Sequence, residues 1–294
     1  MSVRFVAFYV RNGSEERRNV LSNNVTKQAR ASTKNISTIK QLFIESSFWT
    51  AVFSFVTLLL LWEIVVRVLN VNPILLPAPS SVFIEFFGNI SFYLPHAWVT
   101  FYEAMLGFLL GMIIAIGLGI AMSHSTTLEK LLLPIAVLSN VTPIMAIAPL
   151  FILWFGFDAF PKILIAAIIT FFPMLVNSIA GFRSIDENHY EYMLSLHASK
   201  KEILLKLRLP NSLPHLFSAA KSCISLSIMG AVVGEWSGST EGLGNVIMMA
   251  SNYMQTNRMF AAIFLLAFMG VSLTQIVRLI ELKVLSWHTS MQRH

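Results

Sequence analysis

The chain has 294 residues, of which 55% are hydrophobic and 12% charged, with a formal net charge of +6. A soluble domain carries about 25% charged residues, so half that share, with a mean hydropathy of +0.68, excludes an ordinary soluble domain and points to a multi-pass membrane protein. The positive charge is not laid out as a nucleic-acid face, so no nucleic-acid partner is expected: Arg4, Arg11, Arg17, Arg18, Lys27, Arg30, Lys34 and Lys40 precede the first apolar stretch, and Arg183, Lys200, Lys201, Lys206 and Arg208 share one later loop.

Residues 1–48 read as a basic cytoplasmic extension of flexible character. They hold no apolar run followed by a small-residue cleavage site, so a cleaved signal peptide is not expected. A transmembrane domain is expected over 49–285 and a short cytoplasmic tail over 286–294. A helix needs roughly 20 apolar residues to span a bilayer, and six such stretches fall near 50–69, 98–122, 131–153, 161–180, 214–235 and 259–280. In the first, Glu63 and Arg67 lie four apart on one helical face and are expected to pair. The second carries Gly107, Gly111, Gly117 and Gly119, small residues that let helix backbones approach closely. Glu103, near its start, either reaches the membrane interface or has a role inside the span.

Proline at membrane depth frees a backbone carbonyl, which a neighbouring helix or a cavity must satisfy. Thr142, Pro143, Ala148 and Pro149 are therefore expected to shape a translocation path, with plain helix kinks as the alternative. Glu235, at the outer end of the fifth span beside Trp236, is an ionisable residue of the kind that marks function in membranes. It is expected to line or gate an external vestibule, unless the pair is an interfacial anchor.

Lys/Arg bias sets orientation. Residues 70–97 contain no Lys or Arg and 236–258 contain Arg258 alone. Six spans with both termini in the cytoplasm place the basic segments on one side.

The loop at 182–213, FRSIDENHYEYMLSLHASKKEILLKLRLPNSL, is too patterned for a passive connector. Ser184 with Glu187, and Ser199 with Glu202, have capping-box spacing. Two short helices are expected, about 185–196 and 200–208, the second stopped by Pro210. Its apolar Ile203, Leu204 and Leu207 beside Lys200, Lys201, Lys206 and Arg208 suggest a docking surface, or else an amphipathic helix lying on anionic lipid.

Glu191, followed after six residues by Ala198-Ser199 and ten further on by Leu209-Pro210, resembles the EAA coupling loop of type I binding-protein-dependent ABC importer permeases. Tyr192 and Met193 replace two alanines of that pattern. His197 stands at its usual glycine, where a positive φ is cheap for Gly and His is among the better-tolerated substitutes. Further signatures run in the same order from about 60 to 285: Leu76-Pro77-Ala78-Pro79-Ser80, Gly107-Phe108, Thr142-Pro143, Ala148-Pro149-Leu150, Leu153-Trp154-Phe155-Gly156, Phe172-Pro173, Gly234-Glu235-Trp236 and Gly242-Leu243-Gly244. Together they are similar to the nitrate, sulfonate, taurine and thiamine-precursor permeases.

The resemblance implies an all-α integral membrane fold of about six transmembrane helices with a cytoplasmic coupling-helix loop, in the cell inner membrane. It implies that Glu191, His197, Ala198, Ser199, Leu209 and Pro210 engage an ATP-binding cassette ATPase, which binds ATP and Mg while this chain binds no cofactor. It also implies an extracytoplasmic solute-binding protein, a second permease copy and surrounding lipid as partners. The solute is expected to be a vitamin precursor of the thiamine-pyrimidine or riboflavin type, with sulfonate, taurine and nitrate as competitors. The sequence itself has no Gly-x-x-x-x-Gly-Lys-Ser/Thr run for phosphate. Its histidines show no metal-ligand spacing, and Cys223 is the sole cysteine. A self-sufficient secondary transporter, which often carries inverted repeats, and an intramembrane enzyme are the alternative classes.

Overall fold

The computed structural model describes residues 49–50 and 52–286, and among these no strand occurs. The basic extension expected over 1–48 and the tail over 286–294, save Ser286, lie outside the described residues. The chain divides into two units at Val68/Leu69. In the first, an apolar helix, α1 (52–68), carries the expected pair: Arg67 Nε lies 2.5 Å from Glu63 Oε1. The second unit contains α2 (Pro79–Gly88), α3 (Ile90–His124), α4 (Thr126–Val141), α5 (Ile144–Phe155), α6 (Ala159–Arg183), α7 (Glu187–Ser195), α8 (Lys200–Ile203), a π-helical turn at Leu204–Arg208, α9 (Leu209–Gly238), α10 (Leu243–Asn252) and α11 (Thr256–Val284).

Lipid tails are as apolar as leucine, so helices in a membrane associate through close packing. Glycine supplies it here. A Cβ on Gly107 or Gly111 would collide with Ala166 or Thr170 of α6, and one on Gly119 would sit 2.6 Å from Ser178 Cβ. Ala115 is fully buried on the same stripe. On α9, a Cβ at Gly230 would lie 2.5 Å from Ala166 Cα, and one at Gly234 3.0 Å from Lys162 Cα. The backbones of α3 and α9 therefore both rest on α6. Around this seam Phe108, Met122, Met174, Leu175, Ile224 and Leu273 form the main apolar core. Gly117 does not share the contact, since nothing lies within 4 Å of its added Cβ.

The stretch expected to be one span at 131–153 is broken instead. α4 and α5 meet at a 97° bend. Thr142 adopts an extended conformation, φ −71° and ψ 126°, because the ring of the following proline disfavours the helical region. Among the described residues α3, α6, the joined α8–α9 and α11 are each long and apolar enough to cross a membrane, and the bent pair supplies a fifth crossing if counted as one. With α1 these account for the six apolar stretches. Pro173 lies inside α6 without ending it.

Two short helices, α2 and α10, were not among the expected elements. Pro79 opens α2, where a missing N–H costs nothing. α2 is tied to the start of α11 by Arg258 Nε to Glu85 Oε1 at 3.3 Å and Ser81 Oγ to Asn257 Oδ1 at 3.1 Å. Tyr93, Leu243, Val246 and Ala261 form a second apolar cluster that seats α10 on α3 and α11.

Gly111→Leu should force α3 off α6 and destabilise the fold by about 1–3 kcal/mol, the usual range for overpacking. Gly117→Leu should leave stability unchanged. Thermal unfolding of both purified variants in detergent checks the contrast.

Candidate functional site

The polar loop between α6 and α9 begins at Ser184, which caps α6 and donates its hydroxyl to Gly181 O at 2.9 Å. The first expected capping box is therefore absent. Asp186 caps α7, accepting from Asn188 N at 2.8 Å, because a carboxylate on the residue directly before the helix reaches the free N–H groups that Ser184 cannot. The second box is present: Ser199 Oγ accepts from Glu202 N, and Glu202 Oε2 accepts from Ser199 N at 3.0 Å.

Between the two helices His197 has φ +55°. His197 N donates to Leu194 O at 2.9 Å and Ala198 N to Met193 O at 3.1 Å, closing α7 with the left-handed turn usual at a helix C-terminus. The geometry expected of glycine is thus adopted by histidine.

Pro210 does not stop the second helix. Leu209 N bonds Leu204 O in a π-type turn, and α8 runs through it into α9 as one 39-residue helix, Lys200–Gly238. The wider turn places a residue that has no N–H at the opening of the α-helical register, where none is required. The expected apolar stripe also has a different partner. Ile203 is buried and Leu204 and Leu207 are half-buried, so that face is turned into the chain. The apolar groups that the loop exposes are Tyr192, Leu194, Leu196 and Leu205. Glu191 is exposed beside them, while Ala198, Leu209 and Pro210 are partly covered. Arg183 anchors the loop's root, pairing with Glu129 of α4 at 2.5 Å, and Asn211 Nδ2 donates to Ser184 O at 2.6 Å.

At the opposite end of the bundle Glu235 is 1% exposed. It accepts from Thr100 Oγ1 at 2.6 Å and from Gly244 N at 2.5 Å. Thr100 Oγ1 in turn accepts from Leu243 N at 2.8 Å, and His96 Nδ1 accepts from Gly242 N at 3.1 Å. The Glu235 carboxylate thus sits against the backbone that opens α10. A Cβ on Gly242 would overlap it, and Gly242 also has φ +100°, so glycine is required there twice over. Trp236 is exposed next to it.

Glu103 does not reach the interface. It is fully buried, 3.4 Å from Lys162 Nζ. Lys162 was missed as a candidate. The available signal was depth: Glu103, Lys162 and Glu235 stand at the same end of the second, fourth and fifth apolar stretches.

Thr142 and Pro143 lie exposed at the α4–α5 bend, with Thr142 Oγ1 donating to Leu138 O at 2.7 Å. Ala148 is buried against Ile165 of α6 and Val233 of α9, and Pro149 faces outward. The structure therefore separates the candidates into three places: the loop, the bend with α5, and the Glu235 cluster. Among the described residues no group of three or more His, Cys, Asp or Glu is placed to hold a metal ion.

Comparison with known proteins bears on what this arrangement serves. A family model described as the binding-protein-dependent transport system inner membrane component matches residues 107–286. The riboflavin transport system permease protein RibX of Chloroflexus aurantiacus is 35% identical, the match covering 82% of this chain and 92% of the relative. SsuC of Bacillus subtilis (strain 168), named for aliphatic sulfonates transport, is 34% identical over 78% of this chain and 84% of its own. A chain of the MetNI methionine ABC transporter, solved in inward-facing conformations, matches with a TM-score of 0.59 at 16% identity, covering 67% of this chain and 98% of that one. That likeness supports the helical fold.

A non-glycine residue in the left-handed region costs roughly 1–2 kcal/mol, which glycine removes at some expense in backbone entropy. His197→Gly should therefore tighten the turn by up to about 1 kcal/mol. Slower amide exchange of Leu194, His197 and Ala198 in the variant checks this.

Proposed function

The chain belongs to the inner membrane components of binding-protein-dependent transport systems, and from that premise we propose how its parts divide the work of import. It is the permease subunit of an ABC transporter, a transport component rather than an enzyme. That membership sets aside the self-sufficient secondary transporter.

The 185–209 segment is the coupling element. The observation that carries this is the exposed loop face, in which Glu191, Tyr192, Leu194 and Leu196 surround a turn fixed by the φ of His197. Such a face, apolar with a charged rim, fits a groove on a separate ATPase that binds ATP and Mg. Ser199 holds α8 in place through its capping box, and Leu209-Pro210 carries the motion into α9 without a break. A 39-residue helix is about 58 Å long at 1.5 Å per residue, so displacement of the loop is delivered to the far end of the bundle.

A second permease copy completes the path. Thr142, Pro143 and Pro149 are exposed in a single chain, and the 97° bend leaves backbone that lipid would not satisfy. Facing copies of this segment, with Ala148 packed behind it, form the passage. The loops at 70–97 and 236–258 face outward to a solute-binding protein, and both termini lie in the cytoplasm, following the Lys/Arg bias. The solute is a heterocyclic vitamin or vitamin precursor, as the 35% identity to a riboflavin permease suggests. The 34% identity to a protein named for sulfonates favours an organic sulfonate as the second reading.

Glu191→Leu should reduce solute uptake at least tenfold while the chain still inserts and folds. Co-expressed ATPase should be recovered with the wild type and lost when 185–209 is disrupted. Normal uptake by Glu191→Leu, or equal recovery of the ATPase, would overturn the coupling assignment.

A further inference from the structure

Three ionisable side chains meet at the outer end of the α3–α6–α9 bundle. Glu103, Lys162 and Glu235 are 0%, 4% and 1% exposed. Lys162 Nζ lies 3.4 Å from Glu103 Oε1 and donates to Ser239 Oγ at 2.8 Å. Glu235 has a donor on each oxygen, Thr100 Oγ1 and Gly244 N. Glu103 has none: neither of its oxygens is hydrogen-bonded, although it lies side by side with Glu235.

The charges do not balance. Two carboxylates face one ammonium, which leaves a negative charge unmatched in a place closed to water. The other titratable groups around the cluster do not supply the missing positive charge. His96 accepts through Nδ1, so that nitrogen carries no proton and the ring is neutral. Tyr102 offers a neutral phenol, and Asp158 and Glu241 are exposed acids. Two buried carboxylates that share one ammonium, one of them without a hydrogen-bond donor, are costly, and they repel each other.

One proton removes both problems, since it cancels the excess charge and provides the donor that Glu103 lacks. We propose that Glu103 and Glu235 hold a single proton between them, bound on Glu103 and donated to the Glu235 carboxylate. Glu235 keeps the charge because two donors already support it, and Lys162 provides the counter-charge. An O–H···O⁻ bond of this kind is short and strong, and no other bond is made or broken. The proton stays only while α3, α6, α9 and the start of α10 remain together. Water entering between them would let both acids ionise, so occupancy of this site is tied to closure of the outer end.

Infrared spectroscopy of the purified full-length permease tests this directly. At neutral pH the wild type should show the carbonyl band of a protonated carboxylic acid. The band should be lost in Glu103→Gln and in Glu235→Gln, each of which leaves a single carboxylate opposite Lys162. Glu103→Gln should melt close to the wild type, because the amide donates to Glu235 in place of the proton, whereas Glu103→Leu should melt lower. Absence of the band in the wild type overturns the proposal, and that measurement needs no variant. A band that persists in both glutamine variants overturns it too. A band that appears only when sodium is replaced by choline would assign the missing charge to a metal cation instead.

Discussion

Backbone contact of α3 and α9 with α6 is the constraint from which the rest of the structure follows. In lipid there is little hydrophobic gain from pressing two apolar helices together, so their spacing is set by what their side chains allow. Gly107, Gly111 and Gly119 on one helix and Gly230 and Gly234 on another remove the side chain at each point of approach. The seam is then tight enough to exclude water. Exclusion of water is what turns Thr100, Glu103, Lys162 and Glu235 into a closed polar cluster rather than four solvated groups.

That cluster and the polar 184–208 loop occupy opposite ends of the same long helix. The π-type turn at Leu204–Arg208 allows α8 to continue into α9 despite Pro210. A helix interrupted there would act as a hinge. A continuous one is a rod, with the exposed polar loop at one end and Glu235, hydrogen-bonded to the opening of α10, at the other. The two features that most resemble family motifs, the loop pattern and Gly-Glu-Trp with Gly-Leu-Gly, are thereby parts of one mechanical element.

The bend between α4 and α5 serves a different end. Thr142-Pro143 breaks the helix where neither residue is buried, and α5 then lies across α6 and α9 through Ala148, Ile165 and Val233. A segment bent at membrane depth needs either protein or a water-filled space beside it. α5 therefore packs on the same two helices, α6 and α9, that carry Lys162 and Glu235.

Much of this was legible in the residues alone. Blocks of apolar residues long enough to cross a bilayer announced the helical membrane fold, and the i, i+4 spacing of Glu63 and Arg67 announced their pair, because both depend on local periodicity. The Ser199–Glu202 capping box was equally local and was read in advance, whereas the positive φ at His197 was suggested only by the resemblance to a family position that is usually glycine. The first capping box was misread because Asp186 and Ser184 compete for one helix start, and spacing does not rank them. Pro143 was seen as a possible kink, but not as a 97° break, and Pro210 was read as a stop although the helix passes through it. The difference lies in the backbone register each proline meets, which depends on the turns and helices around it. The fate of the charges was least visible. Sequence places Glu103, Lys162 and Glu235 in three separate spans, and only the packing of α3, α6 and α9 brings them together. The sequence determines which groups must find partners inside the membrane, since each has an apolar neighbourhood; the tertiary structure decides which partners they find, because that depends on distances between helices far apart in the chain.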